Sequence, residues 1–377
     1  MPADAEPDNN PKPANAEPAN AEPDNSEPDN SESAPDTGSH PGARTNSSSE
    51  AHARAAASTQ APGLSRRRPV GGLSVSPLCL GGNVFGWTAG EAASRDVLDA
   101  YTAAGGNFVD TADVYSGIRH GVSGGQDSET VIGDWMALRR NRDDVVVATK
   151  VGAHPDRKGL SAANIKAAAD DSLRRLRTDR IDLYYTHFDD ESVEVSEIIT
   201  ALDELVRAGK VREIGASNIS PERLAASLDF SEQSGCARYT ALQPHYNLVS
   251  RDTYEGALAG TAGAHGLAVM PYFALAMGFL TGKYRPGAAA EGSPRAERAA
   301  GYLESERGRR VLAALDDISS ARGAEPATVA LAWLLTRPTV TAPIASARSL
   351  EQLRPLLALA DVELTSEEAG RLTAASA

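Results

Sequence analysis

Residues 145–187 read VVVATKVGAHPDRKGLSAANIKAAADDSLRRLRTDRIDLYYTH and contain one complete strand–helix–strand unit. Two runs rich in β-branched and aromatic residues, Val145–Lys150 and Ile181–His187, enclose this unit and predict strands. The segment between them carries apolar residues spaced for one buried helical face: Ile165, Ala169, Leu173 and Leu176. The pattern therefore predicts two parallel strands joined by a crossover helix.

The same alternation of short apolar runs and amphipathic segments continues on both sides of this unit. The predicted strands are Ser76–Leu80, Asn107–Thr111, Val145–Lys150, Ile181–His187, Val211–Ser217, Tyr239–Gln243, Ala268–Tyr272 and Val340–Ile344. Eight strand–helix units within about 280 residues predict a closed (β/α)8 barrel, the TIM-barrel fold. An open dinucleotide-binding sheet would carry Gly-x-Gly-x-x-Gly after its first strand, whereas residues 81–86 read GGNVFG.

The N-terminal segment has a different composition. Residues 1–65 are acidic and rich in Pro, Asn and Ala, and AEPDN at 5–9 is nearly repeated at 16–20, 21–25 and 26–30. Almost no aliphatic or aromatic side chain is available there to offset the entropy lost on ordering. We therefore expect residues 1–65 to form a disordered tail and residues 66–377 to form the barrel domain.

Composition limits the function classes open to the 377-residue chain. The net charge of −14 argues against a nucleic-acid surface, which needs clustered Lys and Arg. The cysteines, Cys79 and Cys236, suffice for neither a disulfide framework nor a metal site. No run approaches the ~20 apolar residues of a membrane span. We expect a cytoplasmic protein that binds a small molecule without a metal; the sequence does not indicate an oligomeric state.

Four polar residues fall at or just beyond the ends of predicted strands: Asp110, Tyr115, Lys150 and His187. In a (β/α)8 barrel the active site forms at the C-terminal ends of the strands, so these side chains are expected to meet. A carboxylate, a phenol, an ammonium and an imidazole together predict a proton-donating site suited to carbonyl reduction.

The expected chemistry starts from the phenol. A free tyrosine has a pKa near 10, so efficient proton donation at neutral pH requires a reduction of about 3 units. One positive charge at ~4 Å supplies about 4 kcal/mol at an effective dielectric of ~20, which makes Lys150 sufficient. Asp110 would keep Lys150 charged and oriented. A neutral His187 would hydrogen-bond the substrate oxygen, and a cofactor would supply the hydride.

From about Pro69 to the C-terminus the chain resembles the aldo-keto reductase family. The matching segments are Phe108–Tyr115, Ala148–Lys150, Asp182–His187, Gly215–Asn218 and Gly278–Tyr284. The resemblance implies NADPH-dependent (NADP+-producing) reduction of an aldehyde or ketone, with Tyr115 as the proton donor.

The same resemblance implies a set of cofactor contacts. Ser217, Asn218 and Gln243 would hold the nicotinamide carboxamide, and Tyr272 would stack on the nicotinamide ring. Other implied contacts lie along the rest of the cofactor: Gly82, Asn83, Asp110, Phe273, Leu275, Lys283, Ser346, Arg348 and Gln352. Arg348 would bind the 2′-phosphate and so favour NADPH over NADH.

The sequence departs from the family at three places. Gly82 replaces a Thr, Phe273-Ala274-Leu275 replaces Ser-Pro-Leu after the seventh strand, and Pro355-Leu356 replaces a Glu and an Asn expected to grip the adenine. Trp87, His245 and the loops Ser116–Gln126 and Arg285–Arg307 are expected to shape the substrate pocket.

Two other functions are consistent with the same residues. The first is a regulatory subunit that binds the cofactor with little turnover. The second is a barrel isomerase or lyase that uses the acid and base without a nicotinamide.

Overall fold

The computed structural model describes residues 63–116, 127–285 and 301–377. The predicted tail up to residue 62, and residues 117–126 and 286–300 of the two predicted pocket loops, lie outside the described residues. Residues 63–65, expected to end the tail, instead form a 3-10 turn, and the side chain of Leu64 is 1% exposed. The turn packs against residues 358–361 near the C-terminus.

The fold is the predicted (β/α)8 barrel. Its strands are β1 (Cys79–Gly81), β2 (Phe108–Asp110), β3 (Val146–Val151), β4 (Ile181–Thr186), β5 (Val211–Ser217), β6 (Tyr239–Gln243), β7 (Ala268–Val269) and β8 (Ile344–Ala345). They form one parallel sheet in the order β7-β6-β5-β4-β3-β2-β1-β8. Each predicted strand has an observed counterpart, although β1, β2, β7 and β8 are shorter than expected and β8 overlaps the predicted Val340–Ile344 only at Ile344.

The sheet closes on itself where β7 meets the segment that leads into β8. Val269 donates its N–H to the carbonyl of Thr339 and accepts the N–H of Thr341, at 3.0 and 2.8 Å. Ile344 then donates to the carbonyl of Pro271 at 2.9 Å. Because β8 also pairs with β1, these bonds join the two edges of the sheet into a barrel.

Helices surround the barrel. Within the described ranges they are α1 (Glu91–Ala103), α2 (Ser128–Arg139), α3 (Ala162–Leu176), α4 (Val195–Arg207), α5 (Pro221–Ser234), α6 (Ala257–Ala264), α7 (Glu306–Arg322), α8 (Pro326–Leu335), α9 (Leu350–Leu357) and α10 (Ser366–Ala375). None of these is both long and apolar enough to span a bilayer.

Local sequence signals explain where the helices begin and end. Ser161 caps α3 because its hydroxyl accepts the N–H of Asn164, and α3 ends where Arg177 adopts a left-handed conformation. Ser220 caps α5, followed by Pro221 at the first helical position and Gly235 at the end. Local capping residues therefore determine where both helices begin and end.

The apolar residues form two cores. The outer core lies between the sheet and the helices. The inner core fills the barrel and includes Phe108, Val146 and Leu183 from the strands. A hairpin that precedes the barrel, Arg68–Val70 paired with Leu73–Val75, adds Val70, Leu73 and Val75 to this inner cluster. The hairpin thus covers the end of the barrel at which the strands start.

Candidate active site

The alternation of side chains along a strand decides which polar residues enter the barrel. Val146 and Ala148 belong to the inner core, so Lys150, two residues further along β3, also points inward. The same step of two residues leads from Phe108 to Asp110, from Tyr185 to His187, from Ala241 to Gln243, from Met270 to Tyr272 and from Ile344 to Ser346. These polar side chains therefore collect at one end of the barrel.

Lys150 is the centre of the site. Its side chain is 0% exposed, and its Nζ atom donates to Oδ2 of Asp110 and to the carbonyl of Thr111, each at 2.6 Å. Burial alone would lower the pKa of this ammonium, but the charge of Asp110 and the Tyr115 oxygen outweigh it and raise the pKa. Lys150 therefore remains charged inside the barrel.

Tyr115 is the third contact of this ammonium. Nζ of Lys150 lies 3.5 Å from the Tyr115 hydroxyl and 4.9 Å from the centre of its ring. The loop that carries Tyr115 is held at its base, because Ser128 at the start of α2 donates its N–H to the Tyr115 carbonyl at 2.9 Å. The phenol therefore lies against a buried positive charge.

His187 faces Tyr115 across the same space. The two rings meet edge to face with centroids 5.9 Å apart. Burial, together with the positive charge of Lys150, lowers the pKa of His187 to about 3. The imidazole is therefore neutral at physiological pH, and it carries one N–H donor.

Hydrogen bonds link the other predicted nicotinamide contacts. Gln243 donates from Nε2 to Oδ1 of Asp110 at 2.9 Å, and the Ser217 hydroxyl donates to the Gln243 carbonyl at 2.8 Å. Asn218 accepts the Tyr272 hydroxyl at 2.7 Å. Asn218 has φ of 48°, a left-handed conformation that Asn tolerates better than most residues. The tetrad and these residues thus form one connected polar group.

A cavity of about 760 Å³ opens beside this group. Most of the predicted site residues line it: Asn83, Asp110, Tyr115, His187, Ser217, Asn218, Gln243, Tyr272, Phe273, Leu275, Lys283, Ser346, Arg348 and Gln352. Lys150 lies behind the wall and reaches the cavity through Asp110 and Tyr115.

Gly82 is the predicted contact that does not line the cavity. It is buried against α2, donating its N–H to the Asp110 carbonyl at 2.7 Å and accepting the Ser128 hydroxyl at 2.8 Å. A Cβ at this position would meet Ser128 Oγ at 2.9 Å and the Asp110 carbonyl oxygen at 3.1 Å. Close packing against α2 therefore accounts for the glycine where the family has a Thr.

The other end of the cavity is formed by α9 and the segment after β7. Arg348 is half-buried, and within the described residues its guanidinium makes no hydrogen bond or ion pair. Its N–H donates to the Gln352 side chain at 3.1 Å, and Asn83 accepts the Ser346 hydroxyl at 2.6 Å. Lys283 extends into the same region, with Nζ 4.9 Å from the Tyr284 ring. Arg348 and Lys283 are thus available for anionic groups.

The wall after β7 is unusual in its backbone. Phe273, Ala276 and Met277 all have positive φ, between 48° and 57°. Such conformations cost of order 1–3 kcal/mol each and persist where surrounding structure enforces them. Asn247 contributes to this by donating to the Phe273 carbonyl at 3.0 Å. The backbone of Phe273-Ala274-Leu275, the segment that replaces Ser-Pro-Leu of the family, is therefore held in a fixed conformation beside the cavity.

Sequence reasoning missed several residues of the site. Thr111 contributes only its carbonyl, and a main-chain role leaves no signal in the side chain. Charged residues of the cavity wall that we did not predict are Glu325, Glu351 and Arg354. The last two could have been found from their positions on the helix that carries Gln352.

Asp113 is a further buried carboxyl behind the Tyr115 loop. It is 3% exposed, and it borders a second, smaller cavity together with Arg175. Burial, reinforced by the Glu129 carboxylate, raises the pKa of Asp113 to about 7, while Arg175, Lys150 and the Gly152 amide oppose the rise. The charge state of this site therefore changes near neutral pH.

Comparison with known proteins places the chain in a family. A profile described as "Aldo/keto reductase family" matches residues 77–377. Norsolorinic acid reductase stcV of Emericella nidulans is 34% identical, over 80% of this chain and 78% of that protein. Protein tas of Escherichia coli is 31% identical, over 80% and 94%. The NADP(+) aryl-alcohol dehydrogenase of Phanerodontia chrysosporium is 32% identical, over 79% and 81%. The chain belongs to the aldo/keto reductase family, and it is an oxidoreductase by this relationship.

Proposed function

We propose that the protein is a cytoplasmic, NADPH-dependent reductase that converts an aldehyde or ketone into an alcohol, with Tyr115 as the proton donor. The observation that carries this proposal is the 3.5 Å approach of the buried Lys150 ammonium to the Tyr115 hydroxyl at the edge of a large cavity. The ion pair that Lys150 forms with Asp110 is costly to bury, so its position beside the cavity supports a chemical task.

Lys150 and Asp110 prepare the phenol for proton transfer. As the Tyr115 proton moves to the substrate oxygen, negative charge develops on the phenolic oxygen beside the ammonium. A charge at about 4 Å is worth roughly 4 kcal/mol at an effective dielectric of ~20. Asp110 holds the ammonium at 2.6 Å and keeps it oriented, so little reorganisation accompanies the transfer.

His187 positions the substrate oxygen. Because its imidazole is neutral, it donates a hydrogen bond to a carbonyl oxygen without competing with Tyr115 as the acid. The edge-to-face arrangement with Tyr115 leaves both side chains facing the cavity. A carbonyl oxygen bound between the two is held for protonation.

The residues present fit a nicotinamide dinucleotide phosphate. The half-buried Arg348 has no counter-ion within the described ranges and matches a 2′-phosphate, while Lys283 matches the pyrophosphate. Ser217, Asn218 and Gln243 offer the polar groups that a carboxamide needs, and Tyr272 offers a ring face. When bound, the cofactor supplies the hydride. A relative named for NADP(+) supports the choice of NADPH.

The proposal is tested with Tyr115→Phe. We expect turnover on a panel of aldehydes and ketones to fall by at least about 100-fold, because general acid catalysis is lost. NADPH binding, followed by quenching of protein fluorescence, should persist. The matched control is Tyr302→Phe, which removes a hydroxyl outside the cavity wall and should leave turnover unchanged.

The same measurements separate the alternatives. Tight NADPH binding with negligible wild-type turnover on every carbonyl would favour a regulatory cofactor-binding subunit. Absence of NADPH binding would favour an isomerase or lyase that uses the acid and base alone. Unchanged turnover in Tyr115→Phe would show that Tyr115 is not the proton donor.

A further inference from the structure

The second cavity, the one that Asp113 borders, has a volume of about 330 Å³. Its walls are formed by α3 and by a short hairpin that follows β3, Ala153–His154 paired with Arg157–Lys158. It shares no lining residue with the larger cavity at Tyr115. One water molecule takes up roughly 30 Å³ of liquid, so the second cavity has room for a small organic molecule.

The Asp113 carboxyl is unpaired at this cavity. The residue is 3% exposed, and neither Oδ1 nor Oδ2 has a hydrogen-bond partner in the described part of the chain. The Gly152 amide contributes least among the groups that act on the pKa of Asp113. A buried carboxylate in this position has lost its hydration without gaining bonds in return. A ligand with hydrogen-bond donors would replace the missing bonds.

The backbone that carries this carboxyl is anchored. Asp113 donates its N–H to the Lys150 carbonyl at 3.3 Å, and Tyr115 donates its N–H to the Ala112 carbonyl at 3.2 Å. The side chain of Asp113 therefore starts from a fixed point directly behind the Tyr115 loop. Because little of the chain must be ordered on binding, the entropic cost of filling the cavity is small.

The arginines of the cavity already have carboxylate partners. Nε of Arg175 donates to Glu129 at 2.6 Å. Asp171 accepts Nε of Arg157 at 2.5 Å and a second bond from Arg174 at 2.9 Å. None of these three guanidinium groups bonds to Asp113. The carboxyl therefore stays without a counter-ion although positive groups are close to it.

The charges around the cavity leave one negative charge in excess when Asp113 is ionised. Asp156 lies at the rim, with its side chain 83% exposed and an oxygen 3.9 Å from Nδ1 of His154. The four carboxylates and three guanidinium groups concerned are those of Asp113, Glu129, Asp156 and Asp171 and those of Arg157, Arg174 and Arg175. A ligand with one positive charge would balance this set.

The geometry of the open carboxyl narrows the type of cation. Within the ranges that the structure describes, no three His, Cys, Asp or Glu side chains are grouped to hold a metal ion. Two open oxygens on one carboxylate match the parallel N–H donors of a guanidinium group. The protein uses this arrangement elsewhere, since Arg223 donates to both oxygens of Asp189 at 2.8 and 3.0 Å.

We propose that the second cavity binds a small organic molecule through a guanidinium group that donates to both oxygens of Asp113. The proposal goes beyond the proposed function, because it concerns a separate ligand and a separate cavity. It holds whether or not the protein reduces a carbonyl compound.

The first test is calorimetric titration of the full-length protein with methylguanidinium chloride at pH 8. We expect saturable binding of one ion per chain and a Kd at least about tenfold higher in Asp113→Asn, which keeps the shape of the side chain without the charge. Tetramethylammonium, a cation without N–H donors, should not bind at this site. The control variant is Asp134→Asn, which removes a carboxylate that pairs with Arg177 outside both cavities.

Three results of this titration would overturn the proposal. The absence of saturable binding would mean that the cavity holds water only. An unchanged Kd in Asp113→Asn would place the ion on another carboxylate of this acidic protein. Equal binding of tetramethylammonium would show that the N–H donors play no part.

The second test uses the wild type alone and follows the Kd with pH. Burial and the Glu129 carboxylate raise the pKa of Asp113 to about 7, against the opposing charges of Arg175 and Lys150. The ligand requires the ionised carboxylate, so its affinity should increase about tenfold from pH 6 to pH 8. Equal affinity at the two pH values would overturn the proposal, since binding would then not depend on this carboxyl.

His154 is the other group of the cavity that can change charge in this range. A protonated imidazole would also repel a cation at low pH, so His154→Gln is titrated in parallel. We expect the increase in affinity from pH 6 to pH 8 to persist in His154→Gln and to disappear in Asp113→Asn. An increase that disappears in His154→Gln and persists in Asp113→Asn would contradict the assignment to Asp113.

Discussion

Nζ of Lys150 lies 2.6 Å from Oδ2 of Asp110, and both side chains are almost completely buried. Two opposite charges in this position stabilise each other only as a pair, since either one alone would be a desolvated charge. The pair is thus a structural requirement of the barrel mouth as well as a part of the proposed chemistry.

Removal of one partner should therefore destabilise the fold. We expect Asp110→Asn to lower the free energy of unfolding by about 3–5 kcal/mol, measured by urea denaturation, because Lys150 loses its counter-ion. The double change Asp110→Asn with Lys150→Met should recover part of this loss. As a control, Asp317→Asn breaks an exposed pair with Arg371 and should cost under about 1 kcal/mol. A double variant that is less stable than Asp110→Asn would contradict this account.

Asp113 predicts a pH dependence of stability. Its pKa is about 7 in the folded protein, above the ordinary value of an aspartate, so the folded state holds a proton that the unfolded state has lost. Stability should therefore fall as pH rises toward 7 and level off above it. Between pH 5 and pH 8 the loss should be about 3 kcal/mol, since one pKa unit corresponds to ~1.4 kcal/mol.

The measurement for Asp113 is urea denaturation of wild type and Asp113→Asn across this pH range. The variant has no proton to lose, so its stability relative to wild type should increase with pH. A difference between the two proteins that stays constant from pH 5 to pH 8 would show that the carboxyl does not titrate there.

Arg348 should distinguish the two nicotinamide cofactors. We expect Arg348→Ala to raise the Kd for NADPH by about 10- to 100-fold and to leave the Kd for NADH nearly unchanged, because hydrogen bonds to a charged group contribute about 1.5–3 kcal/mol. Titration of protein fluorescence gives both constants. The control is Arg140→Ala, an exposed arginine at the end of α2. An equal increase in the Kd values for NADPH and NADH would show that Arg348 contacts a part of the cofactor that both share.

Gly82 should not accept the side chain that the family usually has. We expect Gly82→Thr to lower the free energy of unfolding by about 1–3 kcal/mol, because the new Cβ would press on Ser128 and on the Asp110 carbonyl. Thermal unfolding measures this change. Gly82→Thr combined with Ser128→Ala relieves one of the two contacts and should be less destabilised than expected from the sum of the single changes. Strict additivity would argue against the contact.

The sequence predicted the barrel, and with it the meeting of Asp110, Lys150 and His187 at one end, for the same physical reason, whereas Tyr115 lies on the loop after β2. Strand periodicity is a local property, and once β3 and β4 are assigned, their last inward positions are Lys150 and His187. The strand ends were less predictable. β7 was expected to extend to Tyr272, but the regular strand ends at Val269, shortly before Pro271, which has no N–H to donate; Met270 and Tyr272 still donate to the carbonyls of Leu242 and Pro244.

The residues that escaped prediction depend on distant partners. Asp113 looks like any loop carboxylate in the sequence, and its raised pKa arises from burial and from the nearby Glu129 carboxylate, against the opposing charge of Arg175. The 52% exposure of Phe188 is likewise a property of the folded chain. Neither property is a feature of the local sequence, so periodicity and motifs could not reveal them.

The short strands β7 and β8 affect how readily the barrel opens between them. Each is two residues long, against six in β3 and in β4, and within the described residues three main-chain bonds join the seam, those of Val269, Thr341 and Ile344. We expect this seam to open more readily than the β3–β4 pairing, whose register covers four residues of each strand. The segments that leave the seam carry Tyr272, Lys283 and Arg348, which line the same cavity. A dinucleotide held by all three would bridge the seam, and amide exchange at Val269 and Ile344 would slow when it binds.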